Sequence, residues 1–192
     1  MVITNTDYGT VIVGVVKRWK KGSGSASEKL TILTIDNYEG AEEKILCWNS
    51  DFENGSQLSD RVRKLKEGDI ITARVEYDIG DPSKSVCYEM KKTGIFKLTR
   101  EEKSYCVLSG TIAKINRSEK VTSVWVPAYL YNDGQIITNW YRIKFWNPEK
   151  VVNLKKGQFL VVRGHALKES EYNSNKYMEM TGSKFIYLKN KE

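Results

Sequence analysis

"TNWYRIKFWN" (Thr138–Asn147) alternates aromatic, basic and aliphatic residues with a period of two. Successive side chains of an extended strand point to opposite faces. Tyr141, Ile143 and Phe145 then share one face, and Trp140, Arg142, Lys144 and Trp146 share the other. The first set can fill a barrel interior. The second cannot be core, because burying two unpaired cations is costly. That face must be wet or must meet a partner.

Working upstream, "VTSVWVPAYLYN" (121–132) repeats the pattern. Val124, Val126, Ala128 and Leu130 fall together, and Trp125, Tyr129 and Tyr131 lie opposite with Pro127. Pro127 needs an edge position or a bulge, since it has no N–H to give a ladder. "YNDGQ" (131–135) separates the two strands, and Asp-Gly accepts the positive φ of a tight hairpin. One sheet surface would then show Trp125, Tyr129, Tyr131, Trp140, Arg142, Lys144 and Trp146.

The chain also repeats itself. "CWN" (47–49), "LKEGDIITARV" (65–75) and "YEMKKTGIFKL" (88–98) return in order as "FWN" (145–147), "LKKGQFLVVRG" (154–164) and "YMEMTGSKFIYL" (177–188). "GVVKRWK" (14–20) and "GTIAKIN" (110–116) correspond upstream, and "SDFENGSQLSD" is an insertion in the first copy. Two copies of one domain follow, 1–100 and 101–192, joined near "LTREEKSY" (98–105). The second copy reads as five strands, at 105–116, 122–131, 136–146, 158–168 and 176–188. The first reads as strands at 9–20, 29–38, 43–48, 69–77 and 85–98. A short helix or loop (57–66, and within 147–157) falls between the third and fourth strands of each. This predicts an all-β protein of two tandem OB-folds, five-stranded Greek-key barrels. Long amphipathic helices are absent from the pattern, which argues against α/β and bundle folds.

The 192 residues are 40% hydrophobic, enough for packed cores. No run of 18 apolar residues suggests a membrane span. "MVITNTDYGT" does not read as a signal peptide. Three scattered cysteines (Cys47, Cys87, Cys106) read as buried thiols in a reducing compartment, with the cytoplasm as the default. The net charge of +7 is uneven: residues 1–100 carry +1 and residues 101–192 carry +6. Aromatics split the same way, 8 against 13. Basic charge and aromatic rings concentrated together suggest a polyanion with faces to stack on, which single-stranded nucleic acid is. Rings stack on bases, cations between them neutralise phosphates, and duplexes hide their base faces. The face formed by the second and third strands is the usual oligonucleotide platform of an OB-fold. The bland alternative is that these aromatics pack against the first domain or a second subunit.

Residues 105–188 resemble the bacterial single-stranded DNA-binding proteins. "NWYRIKFWN" (139–147) is similar to that family's third strand, "LKKGQFLVVRG" to its fourth-strand signature and "YMEMTGSKFIYL" to its closing strand. The resemblance implies that Trp140 and Trp146 stack on bases and that Arg142 contacts the backbone. It makes Lys168 and Tyr172, in the loop "LKESEYNSNKY" (167–177), further candidates. Arg163 points away from core Leu160 and Val162 and extends the basic track. Family members usually end in a flexible linker and an acidic tip that recruits other enzymes. "YLKNKE" (187–192) does not follow that pattern, so recruitment by that route is not implied. Some members carry two OB-folds per chain and dimerise, which makes a homo-oligomer, a dimer among the options, the expected state. A divergent phage or mobile-element version fits equally well.

The first copy is weaker. Lys44, Leu46 and Trp48 share a face, and Tyr38 ends its second strand. Trp19, with Lys17, Arg18, Lys20 and Lys21, leads into the flexible loop "GSGSAS" (22–27). This half is expected to bind weakly or to serve assembly. No catalytic or cofactor motif appears, and the lone histidine, His165, reads as structural. The expected function is binding of single-stranded DNA without strong sequence preference and without catalysis or cofactor, in replication, recombination or transfer. RNA binding and an OB-fold protein-interaction module are the alternatives.

Overall fold

The computed structural model describes residues 2–6, 9–37, 41–50, 57–77, 80, 84–100, 103–132 and 135–188. The chain divides into two compact units, Met1–Lys92 and Thr93–Glu192. Both are built of strands.

The first unit comprises β1 (Val2–Thr6), β2 (Gly9–Lys21), β3 (Leu30–Asp36), β4 (Glu42–Trp48), α1 (Leu58–Val62), β5 (Ile70–Tyr77) and β6 (Lys84–Lys91). β2 is long enough to pair twice. Thr10–Val15 run against β5, and Val15–Lys21 run against β3. The ring β2-β3-β4-β6-β5 therefore closes on itself. Only β4–β6 in this ring is parallel. The closed five-strand barrel, with its short helix between the third and fourth strands, is consistent with an OB-fold. Gly14 sits where β2 is crowded: a Cβ there would lie 2.6 Å from the Asp36 carbonyl oxygen and from Ile35. Ile12, Val16, Leu33, Ile35, Ile45, Cys47 and Ile71 fill the interior, and Leu58 and Val62 of α1 plug it.

The second unit comprises β7 (Gly94–Arg100), β8 (Lys103–Thr111), β9 (Lys114–Arg117), β10 (Thr122–Asn132), β11 (Gln135–Phe145), β12 (Phe159–Tyr172) and β13 (Asn175–Leu188). Its sheet order is β7-β8-β12-β13-β11-β10-β9. β8 and β9 form one bent path. At the bend the Ile112 N–H donates to Gln158 O and the Ala113 N–H to Trp125 O, each at 2.9 Å. The chain is thereby handed from β12 to β10. Leu108, Ile112, Val124, Val126, Tyr141, Ile143, Leu160 and Met180 form the core. A 3₁₀ turn at Pro148–Val151 occupies the expected insert. Arg117 ties the next turn down by donating to the carbonyls of Val151, Val152 and Leu154 at 3.2, 3.2 and 2.7 Å.

Several strands differ from the expectation. The stretch 85–98 is not one strand: β6 ends at Lys91, and β7 pairs with β8 from Gly94↔Ser109 to Arg100↔Lys103. The described residues of the stretch expected to be a joint, 98–100 and 103–105, therefore lie in strands of the second unit's sheet. β1 was not foreseen; it makes the matching hairpin on β2. The loop 167–177 is a continuous hairpin, with Tyr172 opposite Asn175. Asn173 and Ser174 have φ of 49° and 61°, as a two-residue turn that follows the strand twist requires. Pro127 is tolerated because β9 reaches only as far as Trp125, leaving that side of β10 an edge. Asp133 and Gly134 of the expected "YNDGQ" turn lie outside the described residues, as do Tyr38 and most of the insertion at 50–60.

Candidate nucleic-acid interface

Register decides what shares the outer face of the second unit. Lys114 on β9 opposes Trp125 on β10, Trp125 opposes Arg142 on β11, Arg142 lies beside Glu179 on β13, and Glu179 opposes Lys168 on β12. One row thus crosses five strands, roughly 19 Å from end to end at the usual strand spacing. Two residues along the strands, Pro127 opposes Trp140 and Ser170 opposes Tyr177. On the other side, Ser123 opposes Lys144, which neighbours Thr181.

The side chains in this row touch. The Trp125 and Tyr177 rings lie 5.0 Å apart at 58°. The Arg142 guanidinium sits 5.7 Å from the Trp125 ring and donates from Nε to Ser123 Oγ at 3.2 Å. Lys144 Nζ reaches Glu179 Oε1 at 2.8 Å, Arg142 Nη1 reaches Glu179 Oε2 at 3.6 Å, and Lys168 Nζ reaches Glu179 Oε1 at 3.9 Å. Lys144 Nζ also lies 6.0 Å from the Trp146 ring, a cation–π distance. The rings that remain open are Trp140, Trp146 and Tyr129, at 41%, 62% and 56% exposure.

The two cations of this face thus meet a partner within the same unit. Arg142 and Lys144 are half-buried and share Glu179, itself buried. A carboxylate offsets the desolvation that unpaired cations would suffer.

Lys168 and Tyr172 join this face through a bulge. Leu160, Val162 and Gly164 alternate toward the core. The register then shifts between His165 and Lys168, where Ala166 has φ of 55°. Beyond it Leu167 packs on the core and Lys168 points outward with Glu179. Tyr172 lies on the same side, about 13 Å further out, and is exposed. Arg163 precedes the bulge and points away from core Leu160 and Val162. It opposes Val107 and Lys184, and its guanidinium stacks 4.2 Å from the Tyr105 ring. Tyr131 lies in β10, but its side chain is outside the described residues.

In the first unit, Lys44, Leu46 and Trp48 share the outer face of β4, and Trp48 is 41% exposed. Trp19, on β2, is 37% exposed. A register shift between Val16 and Arg18 sets Trp19 opposite buried Leu33 and puts Arg18 and Lys20 outward. Lys17 and Arg18 both pair with Glu42, at 3.2 and 3.3 Å, and Lys21 with Glu28 at 3.7 Å. The pair of cations holds the Glu42 carboxyl below its ordinary value. The "GSGSAS" stretch contains a 3₁₀ turn at Gly24–Ala26. Arg63 pins its end by donating to the carbonyls of Ser27 and Glu28.

Glu179, Tyr177 and Lys114 are the residues the sequence reading missed. The signal was present in "YMEMT" (177–181), where Tyr177 and Glu179 alternate with core-packed Met178 and Met180.

No protein-family model matches the chain, and no curated protein matches it. Among solved structures it is similar to the mitochondrial single-stranded DNA binding protein Rim1 from S. cerevisiae, at 18% identity over 46% of this chain and 97% of that one, with a TM-score of 0.35. It is also similar to a deletion variant of the single-stranded DNA binding protein from Thermus aquaticus, at 14% identity over 95% and 94% of the two chains, with a TM-score of 0.31. Among the described residues no helix is long and apolar enough to cross a membrane.

Proposed function

We propose that this protein is a pair of tandem OB-folds that binds single-stranded DNA without strong sequence preference and without catalysis. The observation that carries the reading is the row Lys114–Trp125–Arg142–Glu179–Lys168, flanked by open Trp140 and Trp146. Exposed rings offer stacking to any base, and the interleaved cations offer charge to the phosphates between them. The second unit carries most of the affinity, because the matching position to Trp140 in the first is Glu42, already occupied by Lys17 and Arg18. Such a protein holds exposed strands open during replication, recombination or transfer in the cytoplasm. Association into a homo-oligomer belongs to the same reading.

The test is tryptophan fluorescence during titration with oligo-dT at several salt concentrations. Saturating quenching that weakens with salt is the expected result. Parallel titrations with duplex DNA and oligo-U rank strand and sugar preference. Absence of quenching from folded protein at low salt overturns the reading and assigns the face to a protein partner.

A further inference from the structure

Glu179 gathers Lys144, Arg142 and Lys168 around a side chain that is only 10% exposed. Three positive charges against one negative leave this cluster with a net of two. A carboxylate and a phosphodiester offer the same kind of oxygen acceptor to ammonium and guanidinium groups. Resting on the strand-binding reading above, we infer that Glu179 is an internal counter-anion that stands in for a phosphate and sets how tightly the strand is held.

Arg142 and Lys144 keep side-chain exposures of 29% and 24%, and Glu179 is the negative charge that offsets their partial desolvation. Guanidinium carries five donors and ammonium three, more than Glu179 uses. An arriving phosphate shares these donors but is repelled by the carboxylate beneath them. Without Glu179 the three cations are left uncompensated, and a phosphate relieves that repulsion. Strand binding by the natural protein is accordingly weaker and more readily reversed than its cations alone would make it.

The experiment is oligo-dT titration across salt with wild type, Glu179→Gln, Lys144→Met and the Lys144→Met/Glu179→Gln double variant. Glu179→Gln is expected to bind on the order of tenfold more tightly at low salt and to steepen the salt slope by about 0.7, one phosphate's worth on a single strand. Lys144→Met should flatten the slope by the same amount. The double variant restores the wild-type net charge and hence the wild-type slope; with both members of the buried pair neutral, it is expected to fold. A double variant no steeper than Lys144→Met overturns the inference, and so does a folded Glu179→Gln with unchanged or weaker binding. Failure of wild type itself to quench overturns the strand-binding reading, and this inference with it.

Discussion

Trp125 and Tyr177 meet with ring centroids 5.0 Å apart although β11 runs between their strands. The indole leans across Arg142 to reach the phenol, so Trp125 supports the platform as well as belonging to it. Trp140 is more open, with no such ring pair among the described residues. Trp125→Ala is expected to lose about 2–3 kcal/mol of stability, somewhat less than a fully buried Trp→Ala. Trp140→Ala should lose less than about 1 kcal/mol. Urea denaturation of the two variants measures the difference directly.

Trp140→Ala and Trp146→Ala should each weaken oligo-dT binding by about 1–3 kcal/mol if both rings stack. The double variant should keep a wild-type-like denaturation midpoint. Undiminished affinity in that folded double variant would remove these residues from the site.

Trp48→Ala should leave oligo-dT affinity close to wild type, although Trp48 is as exposed as Trp140. Its strand offers Glu42 and Leu46 at the places that Trp140 and Lys144 take in the second copy. A loss as large as that of Trp140→Ala would show that the first unit binds strands too.

Arg117→Ala removes three donations to main-chain carbonyls, two of them part-buried. A loss of about 1.5–3 kcal/mol is expected, the range for hydrogen bonds from a charged donor. Thermal or urea unfolding checks it, and strand affinity of the folded variant should not change.

Burial pushes the Cys106 thiol from 9.0 up to about 11. The folded state thus favours the neutral thiol. Its contribution to stability is complete below the unfolded value near 9.0 and is lost as pH rises through about 11. Folded protein should resist iodoacetamide at Cys106 at pH 8, as read by peptide mass mapping. Rapid modification there would contradict the enclosed position between Gly164 O and Met180 Sδ.

The alternation from Thr138 to Asn147 was legible because a period of two needs no knowledge of neighbours. Tyr141, Ile143 and Phe145 are buried and the opposite set is not, as that period demands. The partner of Lys144 was not legible. Glu179 reaches it only through the parallel pairing of β11 and β13, a contact between residues 35 apart. The surroundings of Trp19 and Arg163 were not legible for a related reason. Parity read along a strand fails at a bulge, and it says nothing about which neighbour a side chain leans on. The shift after Val16 turned Trp19 to the side of Leu33, and Tyr105 claimed Arg163. "TGIFKL" continues the repeat in sequence, while from Gly94 on its pairing is with the following strand, which no repeat comparison shows.

The irregularity around Ala166 acts as a phase shifter between two parts of one strand. Before it, even-numbered positions belong to the core; after it, they belong to the solvent. That one point is why Lys168 and Tyr172 face out and Leu167 packs on the core; a strand in unbroken alternation would present the opposite set. A single backbone irregularity thus decides which side chains the arm turns to solvent and which it lends to the core.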